Sequence, residues 1–156
     1  MTTIQRVTHV GVAVSDLERS IAFYRDLLGF EYLSRLHLAG EPTDTLLALD
    51  GVEVHSVFLE RDGLRLELIW FASPPGAPLD PPRRMNHFGF THLSIRVTEL
   101  DDAVERLKAA GVRVLDHTRV DIPARGAAAV IVTDPDGLWI ELVQSRTDPA
   151  RPPQIS

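Results

Sequence analysis

Cysteine is absent from the 156 residues. That excludes disulfides, thiolate zinc sites, iron–sulfur clusters and a cysteine nucleophile, so any metal must be held by histidine, carboxylate, backbone or water. Lysine is scarce as well: Lys108 stands alone, and the other basic side chains are arginines. No basic stripe or block exists and the net charge is −6, which argues against a nucleic-acid partner. No apolar run approaches the roughly 18 residues of a membrane span. Residues 1–6 carry no long apolar stretch, so no secretory signal is read there and the cytoplasm is the expected location. What is present is ordinary for a folded globular chain, with 44% hydrophobic and 24% charged residues. Its length suits one domain, or two small modules sharing a core.

An internal repeat organises the chain. Thr8-His9-Val10-Gly11-Val12-Ala13-Val14 matches Thr91-His92-Leu93-Ser94-Ile95-Arg96-Val97. Both alternate apolar and other residues with the period of a half-buried strand. A helical pattern follows each, over 16–28 and from Leu100 to Ala110, ended by Gly29 and Gly111. Ser15, and Thr98 or Asp101, are the expected N-caps. A strand follows each helix, at 30–33 and 112–115. A hairpin then closes each half: 52–59 and 64–71 about Asp62-Gly63, and 127–133 and 138–143 about Pro135-Asp136-Gly137. Asp-Gly supplies the positive φ that tight hairpin turns need. The closing strands also match, Gly63-Leu64-Arg65-Leu66-Glu67-Leu68 against Gly137-Leu138-Trp139-Ile140-Glu141-Leu142. The chain therefore reads as an α+β protein of two βαβββ modules, residues 4–71 and 88–145. A proline-rich linker at 72–87 joins them, and a tail at 146–156 follows.

Strand alternation sorts the polar residues. Val10, Val12 and Val14 face one way, and His9 the other. Leu93, Ile95 and Val97 oppose His92, Ser94 and Arg96. Leu64, Leu66 and Leu68 oppose Glu67, and Leu138, Ile140 and Leu142 oppose Trp139 and Glu141. The period of 2 thus puts His9, Glu67, His92 and Glu141 on the faces away from the helices. A single histidine or glutamate on a strand is usually only a solvated polar group. The same pair recurring at the same two places in both halves points instead to a divalent first-row metal. Nickel, cobalt, manganese, iron and zinc all suit nitrogen and oxygen donors, with water completing the shell. Arg96 and Trp139 share this parity and are weaker candidates, for an anionic substrate and a pocket wall. A surface ion pair or a packing role would explain them as well. His55 is divided between pocket and surface. His37, His87 and His117 are placed in loops or linker, facing solvent, and Arg83-Arg84 is read as a solvated pair.

These residues carry a family resemblance. His9-Val10 with Asp16-Leu17, then Phe23-Tyr24-Arg25-Asp26-Leu27-Leu28-Gly29-Phe30, and Asp134-Pro135-Asp136-Gly137-Leu138-Trp139-Ile140-Glu141-Leu142 together resemble the vicinal oxygen chelate superfamily. That superfamily includes glyoxalase I, bleomycin-resistance proteins and extradiol dioxygenases. The resemblance spans about residues 4–144 and implies two βαβββ modules forming a cupped mixed sheet. In ligand pattern it is nearest to glyoxalase I and methylmalonyl-CoA epimerase, because Glu67 fills the second ligand place. Gly89-Phe90-Thr91-His92 looks more like glyoxalase I. Two places depart from bacterial glyoxalase I: Ala13 and Phe71 stand where an arginine and an asparagine would hold glutathione. The epimerase pattern adds an acid on the strand before Glu67, where this chain offers Glu53 or His55.

The resemblance implies an isomerase, epimerase or lyase that abstracts a proton next to a carbonyl through a metal-stabilised enediolate. Glu141 is the expected base and Glu67 its symmetric counterpart. The implied partners are a small-molecule substrate and a second copy of the chain in a homodimer. An Fe(II) dioxygenase of the same fold and a non-catalytic, drug-sequestering binding protein are the alternatives.

Overall fold

A computed structural model describes residues 3–80, 82 and 84–147. Arg83 and most of the expected tail lie outside the described residues. The chain divides into two compact units, residues 1–79 and 80–156. Among the described residues, no helix is long and apolar enough to cross a membrane.

The first unit is a four-stranded mixed sheet in the order β1-β4-β3-β2, with β1 Val10–Ala13, β2 Glu31–Ala39, β3 Glu53–Arg61 and β4 Leu64–Ser73. β1 runs parallel to β4, and the other neighbours are antiparallel. Helix α1, Leu17–Ile21, continues as a π-helical turn through Ala22–Leu27. It packs on β3 and β4, and Leu17, Ile21, Tyr24, Val57, Leu59, Leu66 and Leu68 are all buried. Tyr24 is fully buried and meets Phe23 and Phe30 edge-on at 5.1 and 5.8 Å, the geometry that ring quadrupoles favour. Asp62 (φ 52°) and Gly63 (φ 80°) make the expected left-handed turn between β3 and β4.

The second unit repeats the order as β5-β8-β7-β6, with β5 His92–Arg96, β6 Val114–Ile122, β7 Ala127–Thr133 and β8 Trp139–Gln144. Helix α3, Leu100–Ala109, packs on β6 and β8. Asp134, 3% exposed, accepts hydrogen bonds from the backbone N–H groups of Asp136 (2.9 Å) and Leu138 (2.8 Å), which fixes the β7–β8 turn.

Several local expectations are corrected. Asp16, not Ser15, caps α1 by accepting from Arg19 N–H at 2.9 Å, while Ser15 Oγ accepts from the Arg19 guanidinium. Neither Thr98 nor Asp101 caps α3. Glu99 precedes that helix without a side-chain bond, and Gln144 Oε1 takes the Leu100 N–H at 2.7 Å. β2 and β6 run well past residues 33 and 115, so His37 and His117 lie on strands rather than in loops. β2 is exposed on both faces, so burial gives its sequence no alternation to read. A short helix, α2 Glu41–Leu47, adds an element to the expected pattern. From within it, the Asp44 carboxylate accepts from the backbone N–H groups of Gly51 and Val52, at 3.0 and 2.7 Å.

Candidate metal centre

In the first unit, the β1–β4 register sets Gly11 beside Glu67 and Val10 beside Leu66. Leu66 and Leu68 therefore point to the helix side and Glu67 to the other. His9, one residue before β1, meets Glu67 there: Nε2 lies 3.0 Å from Oε2. Phe58, directly opposite Glu67 on β3, touches the imidazole edge-on at 5.4 Å.

The second unit repeats this. Ser94 sits beside Glu141, and His92 beside Trp139. His92 Nε2 lies 3.7 Å from Glu141 Oε2. Ser94 Oγ donates to that same oxygen at 2.8 Å, in the place where the first unit has Gly11.

In both units the residue before the histidine is threonine, and its hydroxyl is paired with the ring. Thr8 Oγ1 is 3.1 Å from His9 Nδ1, and Thr91 Oγ1 is 2.9 Å from His92 Nδ1. A hydroxyl that accepts the Nδ1 proton leaves Nε2 with its lone pair, aimed at the carboxylate side, which is how a ligating imidazole is usually oriented. Two donors at 2.0–2.2 Å from one cation stand roughly 3 Å apart. The His9–Glu67 spacing already matches that, and the His92–Glu141 spacing is slightly wider. Both pairs therefore fit a cation. Half or less of each side chain is exposed, 37% and 15% in the first pair and 31% and 34% in the second, so each is reachable from solvent yet held.

The weaker candidates fare differently. Trp139 lies on the Glu141 side and is half-buried. Arg96 shares that face, but its guanidinium donates to the backbone carbonyls of Ser145 (2.7 Å) and Thr147 (3.2 Å) and to Thr147 Oγ1 (3.1 Å). Among the described residues it makes no ion pair; it ties down the segment that follows β8. His55 stands opposite Trp70, one step out of phase with Glu67, and so shares the face of Val57 and Leu59 on the helix side. Glu53 lies two residues away on that same face. Neither supplies an acid beside Glu67. On β3 the Glu67 face carries Val54, Ser56, Phe58 and Glu60, and Glu60 is paired with Arg65 at 2.9 Å. Thr8, Thr91 and Ser94 escape a sequence reading as site residues, although the repeated Thr-His pair is a visible signal for the first two.

The family model for the Glyoxalase/Bleomycin resistance protein/Dioxygenase superfamily matches residues 6–142. The chain belongs to this superfamily. Among glyoxalase-superfamily relatives, it is 33% identical over 144 residues to a 2-epi-5-epi-valiolone epimerase of an Actinomyces species, covering 88% of this chain and 78% of the relative. It is likewise 33% identical over 144 residues to the ethylmalonyl-CoA/methylmalonyl-CoA epimerase of Cereibacter sphaeroides, with 90% and 98% covered. A glyoxalase-family crystal structure from Bacillus cereus superposes with a TM-score of 0.79 at 20% identity, covering 92% of this chain and 96% of that one. The α+β reading, with paired βαβββ units, is the glyoxalase fold.

Proposed function

We propose that this glyoxalase-superfamily member is a divalent-metal-dependent isomerase, epimerase or lyase, with His9, Glu67, His92 and Glu141 as its metal ligands. The observation that carries the reading is the twofold recurrence of one arrangement. In each unit, a threonine hydroxyl is paired with Nδ1, and Nε2 faces a glutamate from the parallel neighbour strand. A coincidental surface pair would not recur with its supporting hydroxyl. Relatives named as epimerases support the reaction class.

When bound, the cation supplies Lewis acidity to the substrate oxygens. The side chains do the remainder. Glu141 is the base that removes the proton next to the carbonyl, and Ser94 Oγ–H, donating to Oε2, fixes which oxygen is free to take it. Glu67, held by His9, is the counterpart that returns a proton. On the first sheet, Glu53 and His55 lie on the other face and Glu60 is engaged by Arg65, so none of these three joins Glu67. Phe58 and Trp139 supply the apolar walls that raise the strength of electrostatic interactions beside them. The substrate is a small carbonyl compound with an adjacent C–H. Ala13 and Phe71 offer no charged or amide group for glutathione, which favours an acyl thioester or a hydroxyketone.

The test is solvent exchange. The metal-loaded protein is incubated in D2O with methylmalonyl-CoA and, separately, with 2-epi-5-epi-valiolone, and deuterium at the carbon next to the carbonyl is read by mass spectrometry. Exchange that falls by about 100-fold or more in Glu141→Gln supports the assignment. Metal content near zero in the wild type after loading, with a bound ligand nonetheless, would overturn it in favour of a binding protein. Oxygen uptake with Fe(II) would overturn it in favour of a dioxygenase.

A homodimer is proposed with this reading. Tyr32, Leu36 and Leu38 on β2, and Val120 and Ile122 on β6, are 40–51% exposed, and apolar edge strands of this kind need cover. Sedimentation at micromolar concentration would show a monomer if this is wrong.

A further inference from the structure

His37, Glu53 and His55 gather on the helix-side face of the first sheet, away from Glu67. His37 on β2 stands directly opposite His55 on β3. Their imidazoles stack at 4.4 Å with an interplanar angle of 11°. Glu53 follows from strand periodicity, two residues from His55 on the same side. Its Oε1 lies 3.2 Å from His37 Nε2 and 3.9 Å from His55 Nε2, and one donor atom from each of the three residues falls within 4.8 Å of the others. Trp70, opposite His55 on β4, packs against that ring at 5.5 Å and walls one side.

The arrangement is unusual for side chains with no common partner. Two stacked imidazoles gain little from each other in water and repel when both are charged. Here both present Nε2 to a single carboxylate oxygen. The spacing of 3.2 Å is close to that of donors sharing one cation, roughly 3 Å for bonds of 2.0–2.2 Å, and the other is wider at 3.9 Å. Two nitrogens and one oxygen suit zinc and its late first-row neighbours. Calcium and magnesium prefer all-oxygen shells.

We propose that His37, Glu53 and His55 form a second metal site, selective for a zinc-class divalent cation. Three protein donors leave the remaining positions to water or to an external ligand. Side-chain exposures of 54% for His37 and 49% for Glu53 put the site at the surface, so the ion exchanges with solvent. The site shares no ligand with the His9, Glu67, His92 and Glu141 set, and its existence does not depend on the proposed reaction.

The experiment removes the first set and then asks what zinc remains. The full chain carrying His9→Ala and His92→Ala is dialysed to equilibrium against zinc, and bound zinc is measured by elemental analysis. The expected result is about one zinc per chain, with affinity falling about tenfold or more when His37→Ala or, more conservatively, Glu53→Gln is added. Imidazole NMR of the same background protein gives a second readout: zinc should shift the ring signals of His37 and His55 together, and those of His87 and His117 should stay fixed. No zinc in the background protein, or equal zinc with and without His37→Ala, overturns the proposal. So does a zinc titration that leaves the His37 and His55 signals in place.

Discussion

Removing the hydroxyl that holds each histidine tests the half-site geometry most directly. Thr8→Val and Thr91→Val keep the β-branched shape that suits a strand and delete only Oγ1. Each substitution deletes one hydrogen bond, of 3.1 Å to His9 or 2.9 Å to His92. A net hydrogen bond is worth about 0.5–1.5 kcal/mol, or roughly 2- to 13-fold in an equilibrium constant. Partners of metal-bound histidines elsewhere are worth about 10- to 100-fold in metal affinity. His9 is 37% exposed and His92 31%, so water replaces part of each deleted bond. The expected loss of affinity is therefore about tenfold per substitution, where the two ranges meet. If each hydroxyl acts only on its own ring, the double variant loses about 100-fold. The assay is competition for Co(II) against a chelator of known affinity, followed by its visible spectrum. Thr8→Ser and Thr91→Ser keep the hydroxyl and should bind nearly as the wild type does. If both valine variants bind within about twofold of wild type while the serine variants behave identically, the hydroxyls are bystanders and the orienting argument is refuted.

Other perturbations probe the framework. Leu68→Ala empties a fully buried position under α1 and should cost about 2–5 kcal/mol in chemical denaturation. Asp134→Ala removes the acceptor for two backbone N–H groups in the β7–β8 turn, with an expected loss of about 1–3 kcal/mol by thermal melting. Arg119 bridges Asp101 and Asp121, at 2.6 and 2.9 Å, and its hydrogen bond holds the Asp121 carboxyl below the usual aspartate value. A lowered folded-state pKa stabilises above the unfolded value, about 3.9, and that contribution fades as pH falls through the lower folded one. The stability gap between wild type and Arg119→Gln should accordingly be constant near neutral pH and narrow below about pH 4 in urea titrations.

Much of this protein is legible in its sequence. The repeat and its period-2 alternation define β1, β4, β5 and β8, because β4 and β8 bury apolar positions on one face and the apolar positions of β1 and β5 are half-buried. The same alternation puts His9 and Glu67 on one side of their sheet and His92 and Glu141 on one side of theirs. The two Gly-containing turns follow from backbone sterics, since Asp62-Gly63 adopts the positive φ that few other pairs tolerate. Strand pairing decides the rest. β2 is exposed on both faces, so its length and the position of His37 leave no mark in the hydropathy. The face of His55 follows from its register with β4, opposite Trp70, and a one-residue change of register reverses a side chain's face. The partners of Arg96 and Leu100 come from residues more than forty positions away. Local sequence sets which face a residue prefers, because burial acts residue by residue along a strand. Which distant donor or acceptor it meets there depends on how the strands pair, and only the tertiary structure fixes that.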